Sequence, residues 1–241
     1  MIDEWQNRSL LLLGEENLKK LQQAKILVAG LGGVGAYAAE HLCRSGIGCL
    51  CIADADRIEI SNINRQLPAL HSTIGMLKTD LLKKRFLDIN PRLDIKTFPY
   101  YIIDEVADKI INSNDFDYVV DAIDTLSPKI HLIRKTLEKN IPLVSSAGSG
   151  GRVDATKVEV ADISESHHDR LAFVLRKKLR KYNIHNGFKI VFSPEQAVSE
   201  ATVPAFGEKN KKSRTGTISY LPAVFGCIMA SVVVNDIISK E

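Results

Sequence analysis

The chain has 241 residues, of which 45% are hydrophobic and 25% are charged, and its formal net charge is +3. This composition is typical of an ordinary folded, water-soluble protein and excludes a disordered chain. The charge is unevenly placed, because residues 176–214 contain ten Lys or Arg and only three Asp or Glu. That segment carries +7 and the remainder about −4, which favours a polyanionic partner.

Cysteine spacing and the apolar segments predict a cytoplasmic protein. The four cysteines are Cys43, Cys49, Cys51 and Cys227, and no two form a C-x-x-C pair. Neither a zinc ribbon nor a disulfide framework is therefore indicated. The first residues, MIDEWQNRSLLLLGEEN, lack the profile of a signal peptide. The apolar run 221–234 has 14 residues where a membrane span needs about 20, so a buried helix is favoured over membrane contact.

Strand-like and helix-like patterns alternate through the first two thirds of the chain. The predicted strands are 25–30, 49–54, 93–98, 117–122 and 142–147. The predicted helices are 34–46, 75–90, 104–112 and 127–140. This alternation predicts an α/β fold with a doubly wound, mostly parallel, Rossmann-like sheet covered on both faces.

The pattern changes after Gly151, where an antiparallel extension of the sheet is expected. Two further strands are predicted at 157–163 and 188–193, separated by a basic helix that begins near Asp169. Segment 194–220 has no clear period, and a loop of that length is usually functional or mobile. A final helix is predicted at 222–239. We interpret 1–241 as a single domain, in which the regular alternation of the part at about 20–150 is lost in the part at about 151–241.

A glycine-rich turn follows the first predicted strand. Gly30, Gly32, Gly33 and Gly35 form a G-x-G-x-x-G pattern between a strand and a helix. Such a turn lets phosphate approach the backbone at a helix N-terminus. Asp54 ends the next strand, 19 residues after Gly35, where an acidic residue receives ribose hydroxyls. These features fit NAD as well as ATP, and a turn used only for packing remains the alternative.

Polar residues further along the chain favour ATP over NAD. They are Asp56, Ser61, Asn62, Asn64, Arg65, Gln66, Lys78, Asp121 and Asp124. Since ligands of open parallel sheets sit beyond the carboxyl ends of the strands, we expect Asp54, Arg65, Lys78 and Asp124 to converge there. A triphosphate needs Arg and Lys, and its Mg²⁺ needs a carboxylate such as Asp124. The alternative is that Arg65 and Lys78 are solvated surface charges and that Asp124 caps a helix.

Several longer stretches resemble one known family. GLGGVGAYAAEHLCRSGIG, ADADRIEISNINRQ, GMLKTDLLKKRFLDINP and DAIDTLSPK are similar to the ThiF/MoeB-type adenylating enzymes, which are related to ubiquitin-activating enzymes. Within that superfamily, NRSLLLLGEENLKKL, NINRQLPALHSTIGMLK and IPLVSSAGSGGRVDATKVEVADI most resemble the tRNA threonylcarbamoyladenosine dehydratase type, TcdA. The resemblance covers essentially the whole chain and is most specific from 26 to 160. It implies that 1–241 is a single adenylating domain, with a nucleotide-binding part at about 20–150 and a substrate- or tRNA-contacting part at about 151–241.

The resemblance implies a role for each matching residue. Gly33 and Asp54 would hold the nucleoside, Asn62 and Arg65 the phosphates, Lys78 the reacting phosphate, and Asp124 the magnesium ion. In the superfamily an N-terminal arginine reaches into the partner subunit's site, and Arg8 occupies the matching position. The resemblance therefore implies ATP, Mg²⁺ and a homodimer, and it adds proteins of a sulfur-transfer system as candidate partners.

The implied reaction is an ATP-dependent dehydration of threonylcarbamoyladenosine in tRNA. The threonine carboxylate would be joined to AMP and then attacked by a nitrogen or oxygen of the same side chain, so that a ring closes with net loss of water. Because this nucleophile is tethered, no enzyme cysteine is needed. Protein-activating relatives use C-x-x-C pairs and a loop cysteine, and this chain has no cysteine between Asp124 and Gly226.

Three other functions remain open. They are adenylation of the C-terminus of a ubiquitin-like sulfur carrier, an NAD-binding oxidoreductase, and a non-catalytic nucleotide-binding adaptor. For tRNA, the candidate contacts are Arg176, Lys177 and Arg180 on the basic helix and Lys211 and Lys212 in the following loop. A solvated helix face is the alternative interpretation of these basic residues. We expect Cys227, in the apolar run PAVFGCIMASVVV, to be a buried packing residue rather than a nucleophile.

Overall fold

The structure is a computed structural model that describes residues 3–204 and 213–239. Its main element is a seven-stranded sheet in the order β3-β2-β1-β4-β5-β7-β6. All neighbouring strands in it run parallel except β6, which is antiparallel to β7. The strands are β1 Lys25–Ala29, β2 Cys49–Ala53, β3 Asp94–Phe98, β4 Tyr118–Asp121, β5 Leu143–Ser146, β6 Glu159–Asp162 and β7 Lys189–Phe192. Two short strands, β8 Thr202–Pro204 and β9 Ser213–Thr215, pair with each other in a separate antiparallel sheet.

Helices cover both faces of the main sheet. They are α1 Asn7–Gln23, α2 Gly35–Arg44, α3 Lys78–Ile89, α4 Asp104–Ile111, α5 Leu126–Glu138, α6 Arg170–Leu179 and α7 Tyr220–Ile238. The core on one face includes buried side chains of α1, α2, α3 and α7. The core on the other face includes buried side chains of α4, α5 and α6. The predicted doubly wound α/β fold with an antiparallel extension is confirmed, and each predicted strand and helix ends within three residues of the observed bound.

Two elements were not predicted from the sequence. Helix α1 shows no regular apolar period in the sequence, because four consecutive leucines cannot all lie on one face of a helix. Gly14, which has a φ of 79°, also interrupts the helix. Leu18 and Leu21 are buried against the sheet, whereas Leu11 and Leu12 are 88% and 83% exposed. The β8–β9 pair is also absent from the expected pattern, since strands of three residues are too short to show alternation.

Helix α7 is packed as a core helix. It is long and apolar enough to cross a membrane by length and composition alone. However, Phe225, Met229 and Val233 are buried in the core shared with α2. Gly226 permits the close approach of α7 to α2, because a Cβ there would lie only 2.4 Å from the carbonyl oxygen of Val34. This contact places the second turn of α7 beside the turn that begins α2.

Candidate nucleotide and substrate site

A cavity of about 1020 Å³ opens at the carboxyl ends of the parallel strands. Its walls include residues that directly follow β1, β2, β4 and β5, together with residues of 201–203 and 214–217 and the start of α7. Strand β1 pairs with β2 on one side and β4 on the other, so the chain reverses its winding direction at this point. Nucleotides bind doubly wound folds at such switch points.

The glycine turn forms the floor of the cavity beside α2. Gly30 has a φ of +88°, and a Cβ there would lie 2.6 Å from the carbonyl oxygen of Ala122. Gly32 and Gly33 line the cavity as well, whereas Gly35 does not. Gly35 instead allows the turn to close, since its Cβ would lie 1.8 Å from the carbonyl oxygen of Gly30. The first backbone amides of α2 are thereby presented to any anion in the cavity.

Asp54 connects this turn to the end of β2 through hydrogen bonds. Its carboxylate accepts hydrogen bonds from the backbone amides of Leu31 at 2.6 Å and Asp56 at 2.7 Å. Burial raises the pKa of Asp54, while the ammonium of Lys78 opposes that rise. Each carboxylate oxygen keeps a further lone pair for a ribose hydroxyl, so the geometry is compatible with the role expected from the sequence.

Lys78 is the most buried cation of the cavity wall, with 3% of its side chain exposed. Lys78 is the first residue of α3, and the sequence also placed it in the first turn of a helix. Its Nζ lies 2.8 Å from the Asp56 carboxylate and 3.8 Å from that of Asp54. Because two carboxylates balance the ammonium, a phosphate entering the cavity would compete with Asp56 for the same cation.

Segment 61–66 forms a tight turn that also lines the cavity. Asn62 is buried and its Oδ1 accepts a hydrogen bond from the backbone amide of Glu59 at 3.1 Å. The Arg65 guanidinium donates to the Ser61 carbonyl and to Asn64 Oδ1, both at 2.8 Å. Gln66 also lines the cavity, and its buried Oε1 has no hydrogen-bond partner within the part of the chain that the structure describes. The sequence predicts Gln66 as one of the polar residues of this segment, although not its role as a hydrogen-bond acceptor.

Asp124 faces the cavity from the turn after β4. Burial lowers the pKa of Arg65, and the Asp124 carboxylate acts in the opposite direction. Asp121 and Lys129 form an ion pair beneath this turn. Both side chains are fully buried, and the Asp121 carboxylate lies 2.8 Å from Lys129 Nζ. Asp121, left open by the sequence as a possible ligand, therefore lies beneath the cavity rather than on its wall.

The second half of the cavity lies beyond β5. This half is lined by the turn at 146–150, Leu171 of α6 and residues of β8 and β9. Of these, only Arg214 belongs to a segment, the basic loop 208–214, that the sequence predicts as a contact. Arg152 secures the turn, because its guanidinium donates to the Gly148 carbonyl and lies 2.9 Å from the Asp169 carboxylate. The sequence signal that could have found this half is SSAGSGG, a glycine-serine run at a strand's carboxyl end.

The remaining candidate residues lie outside the cavity lining. Arg8 is exposed on α1, close in sequence to the exposed Leu11 and Leu12. Lys177 and Arg180 are exposed on and just after α6. Arg176 is half-buried and donates hydrogen bonds to the carbonyl and hydroxyl oxygens of Ser166. Lys211 and Lys212 lie outside the described residues.

None of the cysteines contributes to the cavity wall formed by the described segments. Cys43, Cys49 and Cys51 are buried, and burial raises the pKa of the Cys43 and Cys49 thiols to about 12. Cys227 is only half-buried, which differs from the full burial expected from its apolar neighbours. Its Sγ lies 3.0 Å from His41 Nε2 across the α2–α7 contact, and burial raises the pKa of its thiol as well.

The sequence was compared with protein families and with known proteins. The model of the ThiF family matches residues 6–241. The chain belongs to the ThiF family. The tRNA threonylcarbamoyladenosine dehydratase of Bacillus subtilis is 39% identical over 239 residues, covering 96% of this chain and 94% of that protein. The resemblance inferred from the motifs is therefore confirmed.

Solved structures agree in fold over the full length. The crystal structure of E. coli tRNA N6-threonylcarbamoyladenosine dehydratase, TcdA, in complex with ATP has a TM-score of 0.89 and 31% identity, covering 99% of this chain and 97% of that one. A structure of the same E. coli enzyme in complex with AMP has a TM-score of 0.88. By contrast, the adenylyltransferase and sulfurtransferase UBA4 of Scheffersomyces stipitis is 41% identical over 106 residues, which are 44% of this chain and 24% of that protein.

Proposed function

We propose that this chain is an ATP-dependent tRNA threonylcarbamoyladenosine dehydratase, an adenylate-forming enzyme of the cytoplasm. Relatives of that name match almost its entire length, and a similar solved structure of that name holds ATP. The observation that carries the proposal is the two-part cavity. One half combines a helix N-terminus with Lys78 and Arg65, and the other half offers space beside it for a second substrate.

The nucleotide half fits the chemistry of ATP. The α2 amides, Lys78 and Arg65 supply the donors that a triphosphate requires. Gln66 Oε1, which is buried in the cavity lining and has no hydrogen-bond partner among the described residues, offers an acceptor to a ligand donor. When bound, ATP would supply the AMP group that converts a carboxylate oxygen into a leaving group. The role of the chain's own residues is to hold the phosphates in line and to balance their charge.

Asp124 is the proposed magnesium ligand. Mg²⁺ is bound in nucleotide sites by one or two carboxylates together with phosphate oxygens. Asp124 meets this need because it faces the cavity at the end of β4, close enough to Arg65 to affect its pKa. The same location lies between the two halves of the cavity, where a substrate carboxylate would meet the phosphates.

Closure of the second half would exclude water from the activated carboxylate. The Gly151 amide donates to the Gly216 carbonyl at 2.8 Å, which ties the turn after β5 to the segment after β9. Asn64 Nδ2 donates to the Thr217 carbonyl at 2.9 Å and connects that segment to the nucleotide wall. These contacts connect the two halves of the cavity through the segment after β9. A nucleophile tethered to the substrate can then attack the activated carboxylate before water does.

The absence of a thiol distinguishes this function from protein activation. No cysteine lines the cavity along the segments that the structure describes, so an acyl group there has no nearby enzyme sulfur to receive it. The proposed substrate instead carries its own nucleophile. Adenylation of a ubiquitin-like sulfur carrier is the second candidate function, and the partial match to UBA4 is the observation that favours it.

The proposal includes a tRNA contact and a homodimer. The exposed Lys177 and Arg180 supply positive charge for RNA phosphates. The exposed Leu11 and Leu12 on α1 offer apolar surface to a second copy of the chain. In such a dimer Arg8, which does not line its own chain's cavity, would reach the cavity of the partner subunit.

Release of AMP is the test of this function. The chain is incubated with ATP and Mg²⁺, with tRNA carrying threonylcarbamoyladenosine, with the same tRNA lacking it, or with a small ubiquitin-like protein. We expect AMP only with the modified tRNA, together with loss of one water from its nucleoside by mass spectrometry. Asp124→Asn should abolish both signals, and Asp88→Asn, which changes an exposed aspartate of α3, should retain them.

Other outcomes would contradict the proposal in distinct ways. AMP release stimulated by the ubiquitin-like protein and not by tRNA would favour the sulfur-carrier function. Retention of ATP without any AMP release would favour a nucleotide-binding adaptor. Recovery of NAD from the purified protein would favour an oxidoreductase.

A further inference from the structure

One arginine lines the second half of the cavity. Arg214 belongs to β9, is exposed, and forms part of the cavity wall. Its partner across the antiparallel pair is Val203 of β8, which lines the same half. Residues directly opposite each other in an antiparallel pair lie on the same face of the sheet. The strand pairing therefore agrees with the location of Arg214 on the wall.

A hydrogen bond and close packing fix the backbone of β9 against the rest of the wall. The Gly216 carbonyl, one residue after β9, accepts from the Gly151 amide at 2.8 Å. Gly150 lies so near this strand that a Cβ on it would be 3.0 Å from Thr215 Cγ2. Because Arg214 directly precedes Thr215, its backbone is held beside the turn that follows β5.

Arg214 determines the charge of this half of the cavity. Among the described residues that line it, Arg214 is the only one with an ionisable side chain. Arg152 is close in the fold, but it does not line the cavity, and its guanidinium lies 2.9 Å from the buried Asp169 carboxylate. An anionic group that enters the second half would therefore meet the guanidinium of Arg214.

We infer that Arg214 binds the carboxylate of the second substrate and selects for substrates that carry one. The inference rests on the proposed function, in which this group is the threonine carboxylate of threonylcarbamoyladenosine. A guanidinium presents two parallel N–H donors that match the two oxygens of a carboxylate. Each of these oxygens keeps a further lone pair. One of them can therefore form the bond to the α-phosphorus of ATP while pyrophosphate leaves.

The location of Arg214 suits the electrostatics of that step. The carboxylate and the ATP phosphates are all negative and repel one another as they approach. Lys78 and Arg65 are in the nucleotide half, where the triphosphate needs them. A cation in the second half balances the carboxylate without drawing it into the places of the phosphates. Arg214 also ends the basic loop 208–214, for which the sequence predicts RNA contacts, so a phosphate contact is the alternative that the experiment must separate.

Three tRNAs of one sequence test recognition of the carboxylate. They carry threonylcarbamoyladenosine, its carboxamide analogue or unmodified adenosine, and their binding is measured without ATP so that no turnover occurs. The parent chain should bind the carboxylate form about tenfold more tightly than the carboxamide, the low end for hydrogen bonds to a charged group, since Arg214 is exposed. Arg214→Gln should bind these two forms with nearly equal affinity. Arg214→Lys keeps the charge without the planar pair of donors and should retain part of the preference.

Matched variants separate this contact from phosphate binding and from effects on the fold. Arg180→Gln removes a proposed phosphate contact and should weaken all three tRNAs by one factor, leaving the preference for the carboxylate intact. Lys84→Gln, at an exposed position of α3, should change neither quantity. Arg214→Gln should bind unmodified tRNA and ATP like the parent and should keep its melting temperature.

Failure of this inference differs from failure of the proposed function. If Arg214→Gln weakens all three tRNAs equally, Arg214 contacts a phosphate and the inference is wrong. The inference is also wrong if Arg214→Gln keeps the full preference for the carboxylate, or if the parent chain shows none. In each of these cases AMP release with modified tRNA would leave the proposed function standing. If the parent chain binds no modified tRNA and releases no AMP, both fail.

Discussion

The buried ion pair beneath the cavity gives the largest expected effect of a single substitution. Lys129 and Asp121 are both 0% exposed, and the Nζ lies 2.8 Å from Asp121 Oδ2. The Ser145 hydroxyl donates to the same oxygen at 2.7 Å, and Lys129 also donates to the Ile123 carbonyl at 3.1 Å. Lys129→Met would fill similar volume but leave the Asp121 carboxylate buried without its cation.

The magnitude follows from the burial of both partners. Removing one member of a buried pair costs about 3–5 kcal/mol, because the remaining charge is uncompensated. For a chain of this length each kcal/mol lowers the melting temperature by roughly 2–4 °C, so we expect a decrease of about 6–20 °C. Lys84→Met, at an exposed position of α3, is the matched control and should change the free energy of unfolding by no more than about 0.5 kcal/mol.

A double variant tests the physical reason. In Lys129→Met with Asp121→Asn the buried charge is absent, so the loss of unfolding free energy should be smaller than the sum for the two single variants. Urea unfolding followed by circular dichroism measures all four proteins. The turn held by this pair carries Asp124, so Lys129→Met should also require more Mg²⁺ for half-maximal AMP release below its melting temperature. The reasoning is refuted if the single variant melts within about 2 °C of the parent or if the two losses simply add.

Three further outcomes are expected. Mixed dimers of Arg8→Ala and Asp124→Asn chains should regain AMP release, since one of their two cavities has both residues; heterodimers that stay inactive would exclude action of Arg8 across the dimer. Cys227→Ala should retain cyclisation with only a modest loss of stability from the lost sulfur, and a thioester trapped at Cys227 during turnover would contradict this. The pKa of Glu40 is lowered because hydrogen bonds from Arg85 and Arg44 outweigh the effect of burial. A carboxyl group whose pKa is lowered on folding stabilises the fold at pH values above 4.5, the ordinary pKa of glutamate. Glu40→Gln should therefore have a lower free energy of unfolding than the parent at pH 7, and this difference should shrink as the pH falls below 4.5. A difference in urea unfolding that does not depend on pH would be evidence against this.

The nucleotide half of the site was predictable because it depends on short-range patterns. The glycine turn, Asp54, Arg65, Lys78 and Asp124 each follow or begin an element whose period is clear in the sequence. The rule that ligands bind at the carboxyl ends of parallel strands then brings them together. The structure places all five at one cavity.

Apart from the glycine-serine run after β5, the second half was not predictable because long-range contacts create it. Leu171 looks like any apolar residue on a helix stripe until α6 is placed beside the turn after β5. Arg176 illustrates the same limit, since periodicity puts it with Lys177 and Arg180 but cannot show its hydrogen bonds to Ser166. The three cations therefore differ in their availability to RNA, and the tRNA contact itself stays a prediction.

Strand order explains why one turn can serve two substrates. The glycine turn follows β1 and Asp124 follows β4, and these two strands are direct neighbours in the sheet. The wall of the second half follows β5, which pairs with β4 on its other side. In the proposed function Asp124 would therefore lie between the ATP phosphates and the place where a carboxylate would be presented. A magnesium ion held by Asp124 would balance phosphate charge beside the reacting group, and this arrangement would require no covalent contribution from the protein.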